Sequence, residues 1–278
     1  MSKQIHFSKM HGAGNDFVVI ETNHDFNVFT PCANLIRNLC NRTRGIGADG
    51  VILLSKTCEN NVIQMIFYNN DGKRAEMCGN GLRCAAWYAK LHEMSSRPET
   101  TFLTDSGKLH TKYIKEQLVQ VEIKINKDFQ SNSELIPNQT VYHGIAGVPH
   151  ALLPVSELEK MDIREPAKHL RFHKFFGENG TNVDFIEFDH KFSEPIHIRT
   201  YERGIEEETE ACGTGIAAAA VVLRNFFNAP WNLSFKTRNG DSLSTCYQQG
   251  NSVFLTGPAI ETFTGTINSN FFENNHQF

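Results

Sequence analysis

The chain has 278 residues, 40% of them hydrophobic and 21% charged, with a formal net charge of −4. That balance is typical of a soluble globular protein of one large domain or two ordinary ones, and it gives no electrostatic case for nucleic acid or an anionic membrane. The longest apolar run, residues 216–223, is too short to span a bilayer. The first ten residues carry no apolar signal core, so the cytoplasm is the expected compartment.

In chain order, strand signals come first, at residues 6–10, 17–20, 51–54 and 62–69. Between the second and third, a helix is expected from a Thr30 cap, with Pro31 in its first turn, to about Asn41. Cys32 and Cys40 share its apolar face with Leu35, Ile36 and Leu39, which makes them core residues. A second helix follows Cys78. Val119, Val121, Ile123 and Ile125 then alternate with Gln120, Glu122 and Lys124, the period-two pattern of a half-buried strand. A third helix is expected over roughly 156–175 with a break at Pro166, and a fourth after Cys212. Further strand signals fall at 183–188, 196–202, 233–236, 241–247 and 252–256. The change of domain is expected near 115–130, in the turn at 115–117 or the polar stretch 126–138. The asparagine-rich tail, 268–278, reads as partly loose.

Seven cysteines occur, and none forms a Cys-x-x-Cys pair. An odd count in a chain of this length argues against a disulfide framework and against structural zinc. Two cysteines stand apart. Residues 77–88 read Met-Cys-Gly-Asn-Gly-Leu-Arg-Cys-Ala-Ala-Trp-Tyr, and 211–222 read Ala-Cys-Gly-Thr-Gly-Ile-Ala-Ala-Ala-Ala-Val-Val. Each phrase sets a cysteine before a Gly-x-Gly turn and an alanine-rich helix with little polar surface, and such a helix is normally buried. The two lie nearly half the chain apart. They predict an α+β protein of two similar strand-rich domains, each a sheet wrapped round a central helix and each offering one thiol to a shared cleft.

A thiol at a helix N-terminus is expected to have a lowered pKa. The glycine turn bares backbone N–H groups that suit a carboxylate or phosphate. Two such ends are apparatus for moving a proton across a carbon beside a carboxylate: one sulfur removes it, the other returns one to the opposite face. A phosphate-loop reading fails, because neither copy carries the Lys-Ser/Thr pair. Gly45-Ile46-Gly47-Ala48-Asp49-Gly50 matches G-x-G-x-x-G but leads into a strand rather than a helix, the wrong order for a dinucleotide site.

The sequence resembles the diaminopimelate epimerase family nearly end to end. The resemblance runs through Phe7-Ser8-Lys9-Met10-His11-Gly12-Ala13-Gly14-Asn15-Asp16-Phe17, Arg44-Gly45-Ile46-Gly47-Ala48-Asp49-Gly50 and Phe67-Tyr68-Asn69-Asn70-Asp71-Gly72. The two cysteine motifs, Gly180-Thr181-Asn182-Val183, Tyr201-Glu202-Arg203-Gly204 and Thr256-Gly257-Pro258-Ala259 complete it. The resemblance implies two related barrel-like halves, residues 1–120 completed by 265–278, and 121–264, with pseudo-two-fold symmetry and the site in the cleft. It implies cofactor-independent conversion of LL- to meso-diaminopimelate, in lysine and peptidoglycan precursor synthesis, by a homodimer.

Carried over by position, Cys78 and Cys212 are the acid–base pair. The N–H groups of Gly79, Asn80, Gly213 and Thr214 hold the reacting carboxylate. Asn15, Asn69, Asn182, Glu202 and Arg203 read the substrate, an arginine fork suiting a carboxylate. His150 and Glu202 tune the thiols. The chain departs from the family at Val148, where many members have asparagine, and at Gly50, where some have glutamine, so fewer polar groups are left to read the distal end. The run Glu206-Glu207-Glu208 reads as a solvated turn that can raise the pKa of a nearby thiol. Racemisation of another amino acid such as glutamate is the alternative, and a non-catalytic thiol–disulfide switch is the alternative of another class. No pyridoxal phosphate lysine, metal set or nucleotide site is indicated.

Overall fold

The computed structural model describes residues 4–22, 32–75, 78–247, 252–268 and 271. Thr30, Pro31, Met77 and most of the tail from 268 onward lie outside these residues. In chain order the first elements are β1 (Gln4–Gly12), β2 (Asn15–Glu21), α1 (Ala33–Cys40), β3 (Gly50–Lys56), β4 (Val62–Asn69), β5 (Arg74–Ala75), α2 (Gly79–Leu91), β6 (Glu99–Thr104) and β7 (Gly107–Lys115). They are followed by β8 (Leu118–Ile136), β9 (Gln139–Ala146), β10 (Val148–Pro154), α3 (Arg164–Arg171), β11 (Asn182–Glu187), β12 (Ile196–Glu202), β13 (Glu207–Thr209), α4 (Gly213–Phe227), β14 (Asn232–Lys236), β15 (Ser242–Tyr247), β16 (Ser252–Pro258) and β17 (Ile260–Asn268). The chain divides into two compact units, Met1–Val121 with Pro258–Phe278, and Glu122–Gly257.

The two units repeat one strand-pairing scheme. In the first, β1–β2 is antiparallel, β2–β3 parallel, β3–β4 antiparallel, β4–β6 parallel, and β6–β7 and β7–β8 antiparallel. In the second, β9–β10, β10–β11, β11–β12, β12–β14, β14–β15 and β15–β16 follow the same sequence of directions. A short strand, β5 on β4 or β13 on β12, pairs just ahead of each cysteine helix. β17 lies antiparallel on β1, from Gln4 opposite Asn268 to His11 opposite Ile260.

Each unit uses one helix on each side of its sheet. α1 covers Val18, Ile20, Val51 and Leu53 with Leu35, Ile36 and Leu39. α3 covers Ala151, Leu153, Val183 and Phe185 with Ala167 and Leu170. α2 packs against β1, β2, β3, β7 and β17, and α4 against β9, β10, β11 and β15. Strands covered on both faces become continuous apolar runs, as in Phe17-Val18-Val19-Ile20, which is wholly buried. Enclosure also explains the alanines: every residue from Gly213 to Leu223 is buried, and small side chains let the surrounding strands approach the helix backbone.

The glycine-rich loop at 45–50 caps a helix. Its N–H groups turn back onto the last carbonyls of α1: Ile46 and Gly47 donate to Leu39 O (both 3.0 Å) and Ala48 to Cys40 O (3.1 Å). A Cβ on Gly45 would stand 1.9 Å from Asn38 O. The glycines are needed because the backbone must close on a helix end whose carbonyls lack intrahelical donors.

One expectation needs correction. The segment 156–175 is a 3-10 turn at Leu158–Lys160, then α3, then a 3-10 turn at Lys174–Phe176. Pro166 stands in the first turn of α3, where a missing N–H costs no intrahelical bond. The polar stretch 126–138 is mostly strand: β8 runs to Ile136, paired to β9 across several register shifts. Its polar side chains are exposed while the backbone is satisfied by its neighbour. The first described helix starts at Ala33 with Cys32 at its N-cap; the expected Thr30 cap and Pro31 lie outside the described residues, and Cys40 is buried in the core as expected.

Candidate active site

Cys78 is the N-cap of α2 and Cys212 the N-cap of α4, both in extended conformation (φ −142°, ψ 112° and φ −111°, ψ 106°). In each helix the third residue, Gly81 or Gly215, donates its N–H to the cysteine Sγ at 3.4 Å. The fourth, Leu82 or Ile216, donates to the cysteine carbonyl at 2.8 or 3.0 Å. Sulfur thus serves as the capping acceptor that a serine or aspartate usually supplies. First-turn N–H groups have no acceptor within a helix, so those of Gly79 and Asn80, and of Gly213 and Thr214, point out of the helix start beside the sulfur. That is the positive end of the dipole and a seat for a carboxylate.

In the first unit, Cys78 is half-buried. Its Sγ donates to Asn15 Oδ1 at 3.6 Å, and Asn80 Nδ2 donates to the same oxygen at 3.2 Å. The carboxamide is turned by Asp49, whose Oδ2 accepts from Asn15 Nδ2 at 2.8 Å. Asp49 also accepts from Arg42 Nη2 (2.7 Å), and Arg42 forks onto Asp16 (3.0 and 2.8 Å), which meets Lys9 Nζ at 2.7 Å. Burial alone would raise the Asp16 carboxyl, but Arg42 and Lys9 outweigh it and hold its pKa down at about 2. The fully buried Arg83 donates from Nη2 to Asn80 Oδ1 (2.9 Å) and from Nε to Pro258 O (3.1 Å). Asn69 ends β4 opposite Gly50 and is exposed, with its backbone closing the turn to Gly72 and Lys73. Gly50 admits nothing larger: a Cβ there would stand 2.5 Å from the Phe67 ring and 2.6 Å from Tyr68 O.

In the second unit, Cys212 is buried and its Sγ lies 3.3 Å from Thr214 Oγ1. Asn182 opens β11 and His150 lies opposite it on β10. Arg203 N–H donates to Asn182 Oδ1 at 2.7 Å, and Asn182 Nδ2 lies 3.5 Å from His150 Nε2. His150 Nδ1 lies 2.7 Å from Asp184 Oδ2, with both side chains fully buried, and Thr200 Oγ1 donates to Asp184 Oδ1 at 2.7 Å. The loop that carries Arg203 is clamped from α3: the Arg171 guanidinium forks onto Glu206 (3.1 and 2.5 Å) and donates to Asn179 O (3.0 Å).

Two electrostatic expectations change. Burial pushes the Cys212 thiol well above its ordinary value; Glu202 and Asp184 add to the rise, and the bonds from Thr214 and Gly215 only moderate it. The helix dipole at Cys212 is outweighed by desolvation. The acidic run is no solvated turn: Glu206 pairs with Arg171, and Glu208 with Arg199 and Arg238. Asp49, Arg83, Asp184 and Thr200 were not singled out in the sequence. The one available signal was that Asp184 shares the Asn182 face of an otherwise apolar strand.

A sequence profile of the diaminopimelate epimerase family matches residues 7–125 and 141–262. The chain belongs to the diaminopimelate epimerase family. A diaminopimelate epimerase from Hydrogenobaculum sp. is 33% identical over 95% of this chain and 99% of its own length. One from Aquifex aeolicus is 34% identical, over 96% and 99%. Among solved structures, this epimerase chain superposes on a phenazine biosynthesis protein of the PhzF family from Enterococcus faecalis with a TM-score of 0.70 at 14% identity, covering 95% of this chain and 99% of that one. It superposes on a probable proline racemase from Agrobacterium radiobacter with a TM-score of 0.67 at 15% identity, covering 95% and 92%. These likenesses establish the strand-rich, two-domain α+β fold, and membership of the epimerase family makes the chain an isomerase.

Proposed function

We propose that this chain interconverts LL- and meso-diaminopimelate, with Cys78 and Cys212 as the two acid–base groups, one on each face of the α-carbon. The observation that carries this reading is the repetition of one detailed cap, sulfur bonded by the third N–H of a buried helix, at equivalent places in two copies of the same strand scheme. One cysteine, as thiolate, takes the α-proton. The other, as thiol, gives its proton to the opposite face, so the enzyme ends with the proton on the other sulfur and no net change in charge. Negative charge that builds on the substrate carboxylate is met by the first-turn N–H groups of Gly79, Asn80, Gly213 and Thr214, where fixed dipoles need no reorganisation. Asn15 and Asn69 in one unit, and Asn182, Glu202 and Arg203 in the other, are the proposed readers of substrate polarity.

The same reading has the enzyme work without a cofactor, in the cytoplasm, as a homodimer, with a small amino acid as substrate and no nucleic acid or membrane partner. The resemblance supports the dimer, and light scattering of the purified chain measures it. The direct test is NMR of LL-diaminopimelate with reduced protein in D₂O, alongside L-glutamate. Deuterium at the α-carbon with meso product is the expected result. Exchange with glutamate alone would keep the two-thiol chemistry and move the substrate. Exchange with neither would overturn the reading.

A further inference from the structure

The carboxylate of Asp184 is fully buried, and no step of the proton transfer uses it. Its surroundings define a hydrogen-bond chain with one direction. The Arg203 backbone N–H can only donate, so it fixes the Asn182 carboxamide with Oδ1 toward Arg203 and Nδ2 toward His150. The amide nitrogen can only donate in turn, so His150 Nε2 is the acceptor and the ring proton sits on Nδ1, facing Asp184 Oδ2. Thr200 fills the other carboxylate oxygen. That same Oδ1 would be 2.3 Å from a Cβ on Gly215, whose N–H bonds the Cys212 sulfur.

We propose that Asp184 is a positioning residue of the Cys212 half-site: it holds the His150 ring in the tautomer that the Arg203–Asn182 bond requires, and stands as a negative charge against the helix turn that carries Cys212. It rests on the two-thiol reading for its catalytic meaning, though not for its test. It gives His150 a part in holding Asn182, beside the tuning role that the resemblance implies, and it adds Asp184 to Glu202 as a charge near Cys212.

The groups around Cys212 support this division. From β11 comes Asp184 and from β12 Glu202, and both charges push the thiol upward. From β10 comes His150, held by Asp184. On β9 the titratable groups are Tyr142, against Phe226 and Phe227, and His143, which faces Phe175 and Phe176. From α3 the buried Arg171 is engaged by Glu206, and Lys168 pairs with Glu165 at the surface. On β15 they are Cys246, half-buried, and Tyr247, beside Trp231.

Two measurements test the proposal, and neither uses substrate. In the wild-type protein, ¹⁵N NMR of the His150 ring at neutral pH should show the proton on Nδ1 and a bare, accepting Nε2; the opposite tautomer overturns the chain. In Asp184→Asn, confirmed folded by circular dichroism, iodoacetamide labelling of Cys212 followed by mass spectrometry should show its pH midpoint falling by at least about half a unit. Cys78 in the same sample should keep its midpoint. A purely structural Asp184 would lower the melting temperature and leave the Cys212 midpoint in place, which also overturns the proposal. If Asp184→Asn does not fold, the wild-type tautomer decides alone. Absence of epimerisation would sink the two-thiol reading without touching either result.

Discussion

The two half-sites share a backbone and differ in what stands behind it. Around Cys78 the supporting carboxylates, Asp16 and Asp49, are met by the cations of Lys9 and Arg42, and the thiol is half-buried against Asn15. Around Cys212 the supporting carboxylate, Asp184, is met by an imidazole and a hydroxyl, and the thiol is buried. Repetition of the strand scheme fixes where each sulfur sits. Side chains from neighbouring strands decide how firmly each sulfur holds its proton.

The largest expected effect would break the comparison outright. Cys78→Ala and Cys212→Ala should each lower kcat by about 10³-fold or more, with folded spectra intact, the scale of losing one acid–base group. Near-normal turnover in either variant would show that only one half-site does chemistry.

The next effect separates the two glycine turns. Gly215→Ala forces a methyl against Asp184 Oδ1 (2.3 Å) and Thr200 Oγ1 (3.2 Å), whereas Gly81→Ala meets only the terminal methyl of Ile52, Cδ1, at 3.2 Å. Overpacking against a fixed buried carboxylate should cost about 2 kcal/mol. At Gly81 the gain in helix propensity offsets the crowding, leaving the change within about 1 kcal/mol. Chemical denaturation of both variants reads the difference, and equal losses would contradict it.

Acid should find the first unit through Asp16. Its folded pKa, about 2, lies below the ordinary 3.8. The stabilisation it gives is therefore present above pH 4 and lost as pH falls through about 2. With solvent screening of the exposed Arg42 partner it amounts to about 1 kcal/mol. Asp16→Asn should flatten the stability profile over that window, and a slope as steep as the wild type's would remove Asp16 from the account. The smallest effect concerns the thiols themselves. At pH 7.5 the half-buried Cys78 should alkylate faster than the buried Cys212, whose thiol burial pushes up. Equal rates would mean that burial does not set Cys212 apart.

Much of this was legible in the sequence, for reasons that differ by element. The cysteine phrases announced themselves by recurring, and alternation marked β8 at Val119 to Ile125. The continuation of β8 through Asn126 to Ile136 was hidden, because a strand whose side chains face solvent needs only a partner for its backbone. The helix around Pro166 was misjudged because a proline in a first turn and a proline that breaks a helix look alike in one dimension. The direction of the Cys212 shift was also illegible: a dipole is visible in a motif, but desolvation depends on which strands close over it. Asp184 offered only its place on the Asn182 face, for the same reason. Between Val183 and Phe185 it reads as an ordinary alternating polar residue until Gly215 is seen against it.

The pairing of β1 with β17 bears on synthesis. The second unit is one continuous stretch, Glu122–Gly257, while the first needs Pro258–Phe278 to finish its sheet. As the chain leaves the ribosome, the later half can fold as soon as it has emerged, whereas the earlier half must wait with one edge of β1 unpaired. Order of birth and order of completion are thus reversed, and β1 keeps an open edge until β17 has been made.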